Sequence, residues 1–156
     1  MTYFLVKLTH ISCSTILMWT GIASVLAMFL ANRFGDRDAI HQVARYVLIA
    51  DLAITTPALV LQLATGMLLL NLAQFDPTQM WLFLGITLYV LASFCWVPTV
   101  GLQMQMRRLA AQAVDKDEPL GPGYSAVEKR WALFACLTFA MLACVFYFMI
   151  YKPLGL

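Results

Sequence analysis

Residues 4–30 read FLVKLTHISCSTILMWTGIASVLAMFL, an apolar run without proline or acidic side chains, in which Lys7 and His10 stand out. A helix crosses the hydrocarbon core of a bilayer with roughly 20 apolar residues, so this stretch is long enough to span one. Three further runs of similar character cover residues 46–72, 81–104 and 131–151. Together the four take up most of the 156 residues and leave no room for a soluble domain. The expected fold is all-α: an integral membrane four-helix bundle, residues 1–156 forming one transmembrane domain. Composition agrees, with 62% hydrophobic and only 12% charged residues, where soluble domains carry about 25% charge.

The first run is read as a retained helix. A secretion signal has a basic start and an apolar core of about 7–15 residues; here the first six residues are uncharged and the apolar stretch is far longer. A net charge of +2 is too small to suggest nucleic acid, but its distribution is informative. Arg33, Arg37 and Arg45 lie between the first and second runs. Arg107, Arg108, Lys116, Lys129 and Arg130 lie between the third and fourth. The remaining two, Lys7 and Lys152, fall at the other side, and the 73–80 connection has none. The positive-inside rule therefore puts both long connections in the cytoplasm and both termini outside, as in a multi-pass protein of a bacterial inner membrane.

The connections carry their own signals. Asp76-Pro77 favours a tight turn between the second and third helices. Residues 115–131, with Pro119, Gly121, Pro122 and Gly123, read as a break in helix. "QMQMRRLAAQAV" is polar and helical enough to carry the third helix out of lipid. Trp81 and Trp131 each open a span, as interfacial aromatics do.

Turning about 100° per residue places polar and small groups on one face of each span. The first has His10, Cys13, Ser14, Gly21 and Ser24; the second has Asp51, Thr55, Ala58, Gln62 and Thr65. The third has Gly85, Tyr89, Ser93, Trp96, Thr99 and Gln103, and the fourth has Cys136, Ala140, Ala143, Cys144 and Tyr147. Such residues face neighbouring helices, where small groups allow close approach and polar ones hydrogen-bond. All four cysteines read as buried small residues. Pro57 and Pro98 each free a backbone carbonyl inside a span.

Packing accounts for most of these stripes but not for His10, Asp51 or Gln62, since an ionisable or amide group inside a bilayer is costly. Asp51 is expected to be buried in an ion pair with Arg45, Arg107 or Arg130. His10 is either a histidine hydrogen-bonded across helices or a ligand, because neutral imidazole binds haem iron well. His41 is expected to be solvated in a loop. With no second histidine in a span, iron on His10 would be five-coordinate or take a mixed sixth ligand, Met67 and Met149 matching its depth. Copper held by His10, Cys13 and nearby methionines is a further alternative.

The motifs "YFLVKLTHI", "MWTG", "ADLAITTPALVLQLATG", "FCWVPTVGLQMQMRRLA" and "FYFMIYKP" together resemble a family of bacterial predicted integral membrane proteins, over essentially the whole chain. That resemblance implies a four-helix membrane protein and no particular activity. More distantly, the two ends are similar to HemJ-type protoporphyrinogen oxidases. These open with an aromatic-Leu-x-Lys-x-x-His helix followed by Trp and Gly, and close a late helix with Lys-Pro. The resemblance implies a haem b or porphyrin site, with His10 as metal ligand and Trp19, Gly21 and Lys152 beside the cofactor. The chain departs from that pattern in lacking the Leu-Pro-Arg and later histidine of the first helix and the Asn-Glu-x-Pro of the late one. Two functions are thus expected: a haem b-binding redox protein, or a non-enzymatic structural or accessory subunit. The lipid bilayer is the expected partner in both, with self-association or a larger membrane complex beside it.

Overall fold

The computed structural model describes residues 1–76 and 78–152. Four long helices account for nearly all of them: α1 (Thr2–Phe34), α2 (Arg37–Ala73), α3 (Met80–Asp115) and α4 (Pro122–Tyr151). Each is long and apolar enough to cross a membrane. Leu, Ile and Phe side chains such as Phe4, Leu26, Phe94, Leu133 and Ile150 stand outward on them, as a lipid-facing surface requires.

The helices run further than the apolar runs suggest, because the connections are shorter. Between α1 and α2 only Gly35 and Asp36 are non-helical. Gly35 donates its N–H back to Ala31 O at 2.8 Å, and a Cβ there would lie 2.7 Å from that oxygen, so only glycine allows the closure. Asp36 caps α2 by accepting from the Ala39 N–H at 2.9 Å, and its charge favours the positive helix end. His41 is accordingly helical and half-buried rather than solvated in a loop. Pro122, at the start of α4 after the Gly121 cap, needs no intrahelical donor there. The break between α3 and α4 is thus confined to a few residues. From within it, Asp117 reaches Arg37 at the start of α2, the one ion pair among the described residues.

α2 is not uniform. Asp51–Thr55 forms a π-helical turn. Pro57 has no N–H to offer the Ala53 carbonyl, and the chain widens by one residue just ahead of it. Both the backbone N–H and the hydroxyl of Thr56 are directed to Asp51 O, the hydroxyl at 2.8 Å.

α3 and α4 pack along most of their length, and α1 packs on α2; α1 and α4 meet only sparingly. One core cluster, around Met28, Ala44, Met106, Tyr124 and Trp131, closes the half nearest the basic connections. A smaller one of Leu17, Ala58, Tyr89 and Val145 holds the other half. The face expected to point inward on α4 is reversed. Cys136, Ala140, Ala143, Cys144 and Tyr147 are all exposed, while Trp131 and Val145 are buried. Small residues cost nothing against lipid, and α4 fills the bundle with its bulky side. Cys13 is buried as expected; Cys95 is half-buried, and Cys136 and Cys144 are not buried. Trp81 and Trp131 turn into the bundle, 8% and 4% exposed.

At the opposite end, Asp76 Oδ1 accepts from Thr78 N–H and hydroxyl at 2.9 and 2.7 Å, a local turn that starts the hairpin; Pro77 lies outside the described residues. So does Pro153 of the terminal Lys-Pro motif.

Candidate functional site

Two polar centres lie inside the bundle, at different depths. The first joins α1 to α2 around His10. Thr65 Oγ1 donates to Leu61 O at 2.6 Å, which leaves it free to accept from His10 Nδ1 at 3.0 Å. Gln62 Nε2 donates to His10 Nε2 at 3.0 Å and to Ser14 Oγ at 2.6 Å. The donors and acceptors match for a neutral imidazole carrying its proton on Nδ1. Gly66 makes room for the ring: a Cβ there would come within 3.2 Å of His10 Cε1.

The second centre is Asp51, 5% exposed, at the π turn. Its Oδ1 accepts from Thr55 at 2.9 Å and lies 3.5 Å from Ser24 Oγ; its Oδ2 accepts from Gln103 Nε2 at 2.6 Å. Asp51 and Thr55 stand four residues apart and so share one side of α2, and the first contact survives the π turn between them. Burial is as expected, but the ion pair is not: neutral donors from α1, α2 and α3 surround the carboxylate in place of an arginine. Helix length explains this, because Arg45, Arg107 and Arg130 sit one to two turns nearer the basic connections and are exposed.

Asp51 opens on a cavity of about 70 Å³ lined by all four helices, among them Gly21, Tyr89, Trp96, Thr99, Trp131 and Phe139. Three polar atoms from its lining residues are buried without a hydrogen-bond partner: Gln103 Oε1, Trp131 Nε1 and Thr138 Oγ1. Buried polar groups are nearly always satisfied, so three orphans around one cavity mark a place for a polar guest or water. Gly21 faces open space, with nothing within 4 Å of a Cβ.

The four residues grouped by the HemJ-like pattern are not brought together. His10 is in the α1–α2 junction and Gly21, about 16 Å further along α1, is in the Asp51 cavity. Trp19 points outward, 67% exposed. Lys152 ends α4 with its ammonium 4.9 Å from the Phe75 ring centre and 5.3 Å from that of Trp81. The residues as placed do not fit an iron porphyrin. Both nitrogens of His10 are engaged, iron on Nε2 would displace Gln62, and about 70 Å³ is far too little for a macrocycle. Met67 is 56% exposed, and Met149 packs instead toward Gly85. Among the described residues no three His, Cys, Asp or Glu side chains gather as a metal site.

Gln103, Thr99, Ser24 and Thr55 were legible as inward-facing polar positions. Trp131, Thr138, Phe139 and Leu142 were not, because the small residues of α4 drew attention to its other face. Their own spacing was the available signal: residues 131, 135, 138 and 142 repeat at helical intervals and share one face.

Four apolar helices with polar groups turned to the interior define a multi-pass integral membrane protein. The chain belongs to the family described as "Predicted integral membrane protein (DUF2269)", whose family model matches residues 4–153. No curated protein and no solved structure matches it.

Proposed function

We propose that the protein is a membrane-embedded solute-binding protein whose selecting group is the Asp51 carboxylate. One observation carries this reading. A buried carboxylate, held only by neutral donors, faces a cavity that all four helices line. Intramembrane carboxylates are expensive and belong to substrate, ion or proton paths; one that needed only burial would have been paired. His10, with both ring nitrogens engaged, acts as a structural lock between α1 and α2. The split of basic residues supports an orientation with the basic connections in the cytoplasm and both termini outside.

The test is charge selectivity of the cavity. In a chain with the four native cysteines replaced by alanine, a single cysteine is placed at Ser93, which lines the cavity. A small cationic methanethiosulfonate should modify it faster than an anionic one of equal size, and Asp51→Asn should remove the preference. Equal rates for both reagents, with and without Asp51, would make the carboxylate purely structural.

A further inference from the structure

The cavity combines three features whose conjunction narrows its guest. Its floor is the Asp51 carboxyl, which when ionised offers about four lone-pair directions, of which Thr55 and Gln103 each take one and Ser24, at 3.5 Å, makes a long third contact. Beside it, Gln103 is 4% exposed and its Oε1 acceptor has no partner. Its walls are aromatic and aliphatic, with Tyr89, Trp96, Trp131 and Phe139 from α3 and α4.

A small metal cation is a poor match. Hard cations take six or more oxygens, usually with several carboxylates among them, whereas this lining holds a single carboxylate and scattered neutral hydroxyls, of which Ser93 and Thr99 are bonded to carbonyls of their own helix. An anion is opposed by Asp51. A neutral apolar guest leaves Gln103 Oε1 unsatisfied and the carboxylate without compensation. We propose that the cavity binds a small organic ammonium ion: a protonated amine whose N–H groups meet Asp51 and Gln103 Oε1, and whose carbons lie against the aromatic walls. This rests on the solute-binding reading above and names its solute class. Aromatic faces attract cations through their ring quadrupole, most strongly where water is excluded. The space of about 70 Å³ suits an ammonium head with a few carbons. Trp131 Nε1–H can only donate and is also unpartnered, so it provides for a hydroxyl on the guest or for a water that enters with it. The sparse contact between α1 and α4, with Gly21 beside it, is the side on which the bundle is easiest to part.

The experiment uses the full chain in nanodiscs and follows intrinsic tryptophan fluorescence, since Trp96 and Trp131 line the cavity. Titrants are butylammonium and ethanolammonium, with 1-butanol, butyrate and sodium as controls. Both ammonium ions should give a saturable change that the controls do not. Asp51→Asn should weaken it at least tenfold. Gly21→Val, which fills open space without touching the carboxylate, should abolish it while leaving the helical signal and melting temperature unchanged. A butanol response equal to that of butylammonium would overturn the proposal, as would undiminished binding by Asp51→Asn. No saturable response to either amine, with the charge-selective cysteine modification intact, overturns the ammonium assignment and leaves the charged cavity standing. Loss of both removes the solute-binding reading as well.

Discussion

His10→Ala tests whether the imidazole is a lock between helices. The substitution deletes two contacts, to Thr65 Oγ1 and to Gln62 Nε2, both at 3.0 Å. Side-chain hydrogen bonds between transmembrane helices average about 0.6 kcal/mol and reach about 1.7. Two of them therefore contribute roughly 1–3 kcal/mol. Neither partner is stranded, because Gln62 keeps Ser14 at 2.6 Å and Thr65 keeps Leu61 O at 2.6 Å; the larger cost of an orphaned buried group does not add. The small void left beside Gly66 adds a contribution of order 1 kcal/mol. The expected loss is about 2–4 kcal/mol of unfolding free energy in mixed micelles, followed by circular dichroism. A double-mutant cycle with Gln62→Ala should show coupling of about 0.6–1.7 kcal/mol between the two positions. Additive effects would refute the lock. So would protein that purifies with a haem absorption band from cells well supplied with haem and loses it in His10→Ala; a colourless wild type with a melting temperature that falls in His10→Ala is the outcome expected.

Asp51→Leu should destabilise by about 1–3 kcal/mol in the same assay, because Gln103 loses the only partner of its Nε2 and keeps an orphaned amide. Asp51→Asn, which preserves shape and an acceptor, should cost clearly less; an equal cost would mean that the carboxylate charge itself holds the bundle. A reporter active only in the cytoplasm should work when inserted near Gly121 and be silent after Leu156, and the reverse pattern would overturn the orientation. Outside the spans, the Thr78 hydroxyl and N–H hold the Asp76 carboxyl below its ordinary value of 3.8. A folded value below the unfolded one means that the turn is favoured above about pH 4 and loses this support as pH falls through the lowered value. Carboxyl carbon NMR should record the low titration, and Thr78→Ala should raise it; no change in that variant would refute the hydroxyl's part.

The four spans were legible because lipid imposes a length and a polarity that little else in sequence mimics. Their ends were less so. Gly35 and Asp36 close a two-residue connection through one backbone contact and one cap, so charged residues such as Arg37 and Arg45 belong to a helix despite reading like a loop. The inward face of α2 was readable position by position: Asp51, Thr55, Ala58, Gln62 and Thr65 are all buried. On α4 the same reasoning chose the wrong side. Polarity decides a face only where the helix carries strongly polar groups, and α4 has none within its span beyond Thr138. There the volume to be filled between helices decides instead, and Trp131, Phe139, Leu142 and Val145 fill it.

His10 and Asp51 show why a costly residue can be found in a sequence more easily than its role. Both stand out by the same argument, that an ionisable group in lipid must be compensated. What separates them is the supply of partners, which depends on contacts between helices. His10 meets a hydroxyl and an amide that satisfy both its nitrogens, and one acceptor beside it, Gln62 Oε1, is left without a partner. Asp51 meets hydroxyls and an amide too, yet no cation pairs with it, and three residues that line its cavity, Gln103, Trp131 and Thr138, keep unpaired atoms. The pairing of Pro57 with the π turn strengthens that difference. A regular helix would also set Thr55 one turn from Asp51; what the widened turn adds is a carbonyl of Asp51 that receives both the N–H and the hydroxyl of Thr56. Irregular backbone at membrane depth is tolerated where it lines protein or a cavity, and π turns recur at functional sites. On these grounds the centre we propose for a guest is the one at Asp51, and the role proposed for the histidine that first draws attention is to hold α1 and α2 in place beside it.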